Sequence, residues 1–247
     1  MKTYGLIGYP LEHSFSQKYF TEKFRKEGIE ARYLNFPIPD IDQFPALLEK
    51  HPYLAGLNVT IPYKQAVMKH LDKIDPVARE VGAVNVIKIE WEDNQPFLTG
   101  YNSDIIGFSR SLAPLLQPQH QKALILGTGG ASRAVAYGLS QLGLLYRFVS
   151  RNPKHPSHVS YDALTSEILH DYKVIINTTP AGMSPNTNDC PPIPYDGITP
   201  QHLAYDLVYN PENTLFMQKC AEKGAATKNG LEMLHLQAEG AWEIWNG

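Results

Sequence analysis

Short apolar runs alternate with stretches whose apolar positions recur every three or four residues, and the alternation continues along most of the chain. In the first part, "TYGLIGYP" reads as a strand ending in a turn, Phe15 to Phe24 as a helix and "ARYLNFPI" as a strand. Phe44 to Lys50 then reads as a helix, and "AGLNVTI" and "AVNVIKIE" as two further strands. That order predicts βαβ units. From Lys122 a second series runs through "KALIL", the glycine-rich "GTGGASRA", a helix to about Gly143, "YRFVS", "KVIINTT" and "LAYDLV". Such a series is the pattern of a doubly wound parallel sheet. The stretch from Pro180 to Pro200, rich in Pro, Asn and Thr, is predicted as a long surface loop. No internal repeat or low-complexity tract interrupts the pattern.

The last helix carries a stripe of Leu231, Leu234, Ala238, Ala241, Trp242 and Trp245, with Glu232, Glu239 and Glu243 on one flank and Gln237 on the other. Gln237 is an exposed amide or one aimed at a ligand. In "NVTIPYK", Asn58 to Lys64, a β-branched run meets a proline where a helix can start, with Ala66, Val67, Leu71 and Ile74 following at helical spacing. Lys64 is therefore expected in a first helical turn, where the helix dipole disfavours a cation and a compensating partner is needed.

With 43% hydrophobic and 19% charged residues, 247 residues suffice for one large core or two small ones. A net charge of −3 and a pI near 6.3 leave no general basic field, so neither nucleic acid nor an anionic membrane is expected as a partner. Two cysteines, Cys190 and Cys220, are too few for a disulfide framework and lack metal-ligand spacing; no metal is expected. The N-terminus lacks the unbroken apolar segment of a signal peptide, and no run reaches the roughly 18 residues of a membrane span. A cytoplasmic, soluble protein is the expectation.

Candidate chemistry changes this picture most in the second series. "KALILGTGGASRAV" sets Gly127, Gly129 and Gly130 between a strand and a helix, the context in which backbone N–H groups and the helix dipole bind a pyrophosphate. The next strand ends in "VSRNPKH", where an NAD site usually carries an acid for the ribose; Ser150, Arg151 and Lys154 suit a 2′-phosphate instead, which favours NADP. In the first series, Ser14-x-x-Gln17 is a capping box, which leaves Ser16 unexplained beside the Gly8 and Pro10 turn. Asn85 is a polar residue inside an apolar strand and must be hydrogen-bonded; Asp104 follows a turn and either caps the helix starting near Ile105 or serves catalysis.

Taken together, "GYPLEHSFS", "NVTIPYK", "GAVNVI", "GYNSDIIG", "GTGGASRA", "INTTPAGM", "YDLVYNP" and "NGLEMLHLQA" resemble the shikimate dehydrogenase family over nearly the whole chain, in its order and spacing. The resemblance implies two α/β domains: residues 1–103 with a returning helix 231–247 for the substrate, and a Rossmann-type doubly wound domain, 104–230, for NADP. It implies reduction of 3-dehydroshikimate to shikimate by NADPH in a cleft between domains, by a monomer or homodimer. The implied catalytic pair is Lys64 and Asp104, and the substrate residues are Ser14, Ser16, Thr60, Asn85, Tyr209 and Gln237. On the cofactor side it implies Gly127, Gly129, Gly130 and Ala131 at the pyrophosphate, Ser150 and Arg151 at the 2′-phosphate, and Thr178, Met183 and Gly230 around the nicotinamide. Gln17 stands where the family usually has proline, and Ser103 where it usually has threonine. A quinate-oxidising relative and a catalytically silent NADP-binding sensor remain alternatives; a methylenetetrahydrofolate dehydrogenase-like enzyme would not call for Ser14, Ser16 and Gln237.

Overall fold

The structure, a computed structural model, describes residues 1–11, 14–153 and 155–247. The chain divides into two compact units, Met1–Ser103 with Ala238–Gly247, and Asp104–Gln237. The first contains β1 (Lys2–Gly8), α1 (Phe15–Glu27), β2 (Ala31–Pro37), α2 (Phe44–Lys50), β3 (Leu54–Val59), β4 (Lys73–Ile74), α3 (Pro76–Val81), β5 (Val86–Glu92) and β6 (Gln95–Tyr101). Its sheet runs β2-β1-β3-β5-β6-β4. The expected βαβ units are there, since β1 pairs parallel with both β2 and β3. In the other half β5 pairs antiparallel with β3 and β6, and the edge strand β4 pairs parallel with β6. β6 was not anticipated; its hairpin turns at Asp93 and Asn94, whose φ of 49° and 62° are those of a tight left-handed turn that Asn and Asp tolerate.

The second unit contains α4 (Asp104–Leu112), β7 (Lys122–Leu126), α5 (Gly130–Gln141), β8 (Leu145–Ser150), β9 (Val159–Ser160), α6 (Ser166–Asp171), β10 (Val174–Asn177), β11 (Leu203–Asp206), α7 (Leu215–Glu222), β12 (Ala226–Lys228) and the start of α8 (Leu231–Asn246). Its sheet is wholly parallel in the order β12-β11-β10-β7-β8-β9. β7 and β10 are neighbours though β8 and β9 separate them in sequence, so the switch point of a doubly wound sheet lies at their C-terminal ends. Alternate residues of β7 serve opposite faces. Ala123 and Ile125 pack with Phe108, Val135 and Leu139, and Leu124 and Leu126 with Val149, Ile175 and Phe216. A strand buried on both faces reads as an unbroken apolar run for that reason.

The last helix departs from its predicted stripe. Met233 is buried with Phe108 and Leu112, whereas Leu231 is 39% exposed. Farther along, Ala238, Ala241 and Trp245 pack with Tyr4, Phe20 and Phe24. The division between units accordingly falls within α8, between Gln237 and Ala238. Among the described residues no helix is long and apolar enough to cross a membrane, and no group of three His, Cys, Asp or Glu is placed to hold a metal. Both cysteines are free.

Candidate active site

In the first unit the polar candidates gather at the C-terminal ends of β1 and β3 and the start of β5. Ser14 is the N-cap of α1, its hydroxyl accepting the Gln17 N–H at 3.2 Å. The other half of the capping box is redirected: the Gln17 side chain accepts from Asn35 Nδ2 at 3.0 Å. Ser16 is hydrogen-bonded to the Tyr33 phenol, whose pKa burial raises well above 10.0 against that bond. Tyr33 donates to Asn58 Oδ1 at 2.7 Å, and Asn58 Nδ2 reaches the Asn85 carbonyl at 3.4 Å. Asn85 Oδ1 then accepts the Ser103 N–H at 2.7 Å, while its Nδ2 donates to the Ser103 hydroxyl at 3.2 Å. A polar chain thus runs from Ser16 to the residue before Asp104. Tyr33 and Asn58 were missed because strand alternation alone explains an aromatic and a short polar residue there. Asn85 is buried and hydrogen-bonded as expected, but it precedes β5 rather than lying in a strand.

Lys64 lies in a single turn, closed by the Val67 N–H on the Tyr63 carbonyl at 2.9 Å, and in no regular helix. Its carbonyl accepts the Val84 N–H at 2.7 Å, which withdraws it from any helical ladder, and the Tyr63 hydroxyl is drawn inward to the Ile38 carbonyl at 2.6 Å. Turns follow Thr60, whose carbonyl accepts the Tyr63 N–H at 2.9 Å, and only a short 3₁₀ segment, Ala66–His70, forms. The helix-dipole argument therefore fails for Lys64, and its place between Tyr63 and the Val84 contact is set by tertiary hydrogen bonds. Asp104, in the other unit, is the first residue of α4, 6% exposed, where the dipole favours an anion. One turn later, Gly107 lets α4 approach α8, since an added Cβ would lie 2.5 Å from Met233 O and 2.9 Å from Gln237 N. Gln237 is half-buried at that crossing.

The glycine loop follows β7 at the switch point. Gly127 has φ +109°, with the Thr178 hydroxyl 2.8 Å from where a Cβ would sit. Gly129 and Gly130 have open space there instead, and Gly129 caps α5 with no side-chain hydrogen bond. The first N–H groups of α5, around Gly130 and Ala131, thus have no side-chain cap, and the residues are exposed: the geometry fits a pyrophosphate. At the end of β8, the Ser150 hydroxyl accepts the Asn152 N–H at 3.3 Å and exposed Arg151 lines a cavity of about 350 Å³ with Tyr161, Thr179 and Pro191. Lys154 lies outside the described residues.

Two loops after β10 and β11 carry the remaining candidates. The Thr178 hydroxyl is engaged by the Leu126 carbonyl at 2.7 Å. Met183 and Tyr209 are 48% and 44% exposed. Gly230 lies against the Leu207 carbonyl, too close for any Cβ. Beneath these loops sit buried Asn177, Asp206 and Thr214, which sequence reasoning passed over although polar residues ending apolar strands were the available signal.

Comparison with known proteins extends over both units. A family model described as the shikimate dehydrogenase substrate binding domain matches residues 6–87. A shikimate dehydrogenase (NADP(+)) of Desulforamulus reducens is 36% identical over 98% of this chain and 89% of its own length. The solved chorismate mutase/shikimate 5-dehydrogenase fusion protein of Clostridium acetobutylicum is 36% identical, with a TM-score of 0.86 over 100% of this chain and 91% of that one. Shikimate 5-dehydrogenase of Thermus thermophilus, solved in complex with NADP(H) and shikimate, gives 0.86 at 29% identity over 100% and 94%. At such identity over such coverage, this chain belongs to the shikimate dehydrogenase family.

Proposed function

We infer that the protein catalyses the reversible reduction of 3-dehydroshikimate to shikimate with NADPH, the shikimate-pathway step toward chorismate and the aromatic amino acids, and that it does so in the cytoplasm. The end-to-end match to NADP-dependent shikimate dehydrogenases carries this reading, since it spans both units at 36% identity. The substrate is bound through Ser14, Ser16, Thr60, Asn85, Tyr209 and Gln237. The second unit binds the cofactor through Gly127, Gly129, Gly130, Ala131, Ser150, Arg151, Thr178, Met183 and Gly230.

NADPH supplies the hydride when bound. A carbonyl carbon that receives it leaves negative charge on oxygen, which the Lys64 ammonium stabilises and to which it delivers a proton. Asp104 keeps that ammonium oriented and serves as its proton relay. Arg151, standing where an acid would hold an unphosphorylated ribose, pairs with the 2′-phosphate through charge-assisted hydrogen bonds. The uncapped N-terminus of α5 supplies N–H donors to the pyrophosphate.

Absorbance at the nicotinamide band, with shikimate and quinate each offered with NADP and NAD, tests this reading. Turnover of shikimate with NADP is expected. Faster turnover of quinate would make the protein a quinate-oxidising relative, and saturable NADP binding without turnover a silent sensor.

A further inference from the structure

Three buried side chains under the loops of the second unit have no part in the reaction as described. Asn177 and Asp206 are the last residues of β10 and β11, Thr214 precedes α7, and each is 0% exposed. Asp206 Oδ1 accepts from Asn177 Nδ2 and from the Val208 N–H, both at 3.0 Å, and Oδ2 accepts the Thr214 hydroxyl at 2.6 Å. Asn177 passes the constraint on: its Oδ1 accepts the Thr179 N–H at 3.0 Å and hydroxyl at 2.6 Å, and its Nδ2 also reaches the Ala181 carbonyl at 3.3 Å. The Ser184 N–H donates to the Asn210 carbonyl at 3.0 Å, tying the two loops together, and the Gly230 N–H donates to the Val208 carbonyl at 3.2 Å. The segments bearing Thr178, Met183, Tyr209 and Gly230 therefore all depend on one carboxylate.

We propose that Asp206 is a positioning residue for the nicotinamide half of the cofactor, acting through Asn177 and Thr214 on the loops 178–184 and 207–214; the proposal rests on the NADP reading above. A carboxylate suits the place because three donors converge on it and it has only acceptors to offer. An amide of the same shape does not. The Thr214 oxygen already accepts the Met217 N–H at 3.3 Å, so its single proton must go to residue 206, where an amide NH₂ would turn a second donor toward it.

The arrangement is pH-sensitive. Burial raises the Asp206 carboxyl to about 6, against the bonds from Thr214, Val208 and Asn177. The titratable groups facing it are Cys220 of α7, pushed up to about 12, and Tyr195 of the 180–200 loop, raised by its own burial, so both are neutral where Asp206 titrates. Below about pH 6 the site loses its all-acceptor group.

The test compares NADPH with 2′,5′-ADP, which carries the same 2′-phosphate but no nicotinamide. Dissociation constants are measured for wild type, Asp206→Asn and Thr214→Val, the second variant keeping the carboxylate, over about pH 5 to 8. Both variants should weaken NADPH by about ten- to a hundredfold, as a small misplacement does, and leave 2′,5′-ADP within about twofold. The 5′-phosphate of 2′,5′-ADP titrates at about pH 6 and the pyrophosphate of NADPH does not, so the ratio of the two constants in wild type is read relative to that in Asp206→Asn, and this relative ratio should rise as pH falls through about 6. A purely structural role would instead lower the melting temperature and weaken both ligands alike. Equal losses, no loss in either variant, or a wild-type ratio that runs parallel to that of Asp206→Asn across that pH range would overturn the proposal. Wild type that binds both ligands yet does not turn over shikimate would refute the functional reading while the comparison still decides Asp206; wild type that binds neither refutes both.

Discussion

Lys64 and Asp104 carry the sharpest residue-level expectation, although the geometry changed the reason for Lys64. A positioned proton donor is worth about 10²–10⁴ in rate, so Lys64→Ala should lower kcat by that much with smaller changes in KM. Because members of a catalytic group are non-additive, adding Asp104→Ala should slow the enzyme scarcely beyond the worse single variant; multiplied penalties in steady-state kinetics would show independent roles. Ser14 and Ser16, two residues apart, should differ in their effect on stability, because Ser14 is also the N-cap of α1. The hydroxyl of Ser14 is an N-cap, so Ser14→Ala should cost about 1 kcal/mol of stability. Ser16 heads the polar chain through Tyr33, and Ser16→Ala should raise KM for shikimate by about tenfold with little change in melting temperature. Measuring both quantities on both variants separates a cap from a ligand contact, and a normal KM in both would remove these hydroxyls from the site.

At the scale of elements, the turns that join strands carry titratable groups whose burial makes stability depend on pH. His202, in the turn entering β11, is buried; its Nδ1 accepts the Thr199 N–H at 3.0 Å and its Nε2 faces the Leu169 carbonyl at 2.8 Å. Burial, with Lys173 and His120 nearby, lowers its pKa below 6.5. The unfolded chain then takes up this proton at a pH where the native state does not, so the contribution is fully present above about pH 6.5 and is lost as pH falls. The slope from one such proton is at most about 1.4 kcal/mol per pH unit. Asp206 works in the opposite sense: its pKa is raised from 3.8 to about 6, so its contribution is present below the lower value and lost as pH rises through the upper one. Urea unfolding of wild type against His202→Gln isolates the histidine. The variant should be less stable near neutrality and change less on acidification, and parallel curves for the two proteins would exclude the assignment.

The same scale shows how far sequence pattern reaches. α2 and β7 were bounded correctly by their own apolar pattern, and β8, β10 and β11 were located with ends off by one or two residues, because burial on one stripe or two faces imposes a period on the residues themselves. The segment after Pro62 had the period of an α-helix and formed only a short 3₁₀ segment, since Val84 N–H takes the Lys64 carbonyl. That competitor lies far along the chain, where no local window contains it. Asn58, Asn177 and Asp206 were illegible for a related reason. Each looks like a neutral strand terminus or interior until its partners, on neighbouring strands, are brought beside it.

For the molecule as a whole, cofactor binding should appear as stability. NADP at about 100 times its dissociation constant should raise the unfolding free energy by about 2.7 kcal/mol, provided it binds only the folded chain. Arg151→Ala should weaken NADP by roughly ten- to a hundredfold and barely alter NAD, since one charge-assisted hydrogen bond contributes about 1.5–3 kcal/mol. Titrating each cofactor against thermal unfolding of both proteins checks this, and equal losses for NADP and NAD would remove Arg151 from the 2′-phosphate. The α/β class, the parallel second sheet, the glycine turn at its switch point and the basic residue replacing an acid were determined by the sequence itself. Periodicity, turn chemistry and charge sign are properties of neighbours along a chain, and they survive without coordinates. Tertiary structure alone decided that the first sheet mixes parallel and antiparallel pairs, that α8 is shared between the two units, that Ser16 connects through Tyr33 and Asn58 to Asn85, and that one buried carboxylate ties two loops together. Each of these rests on a contact between residues distant in sequence, whose energy depends on exclusion of water by a packed fold.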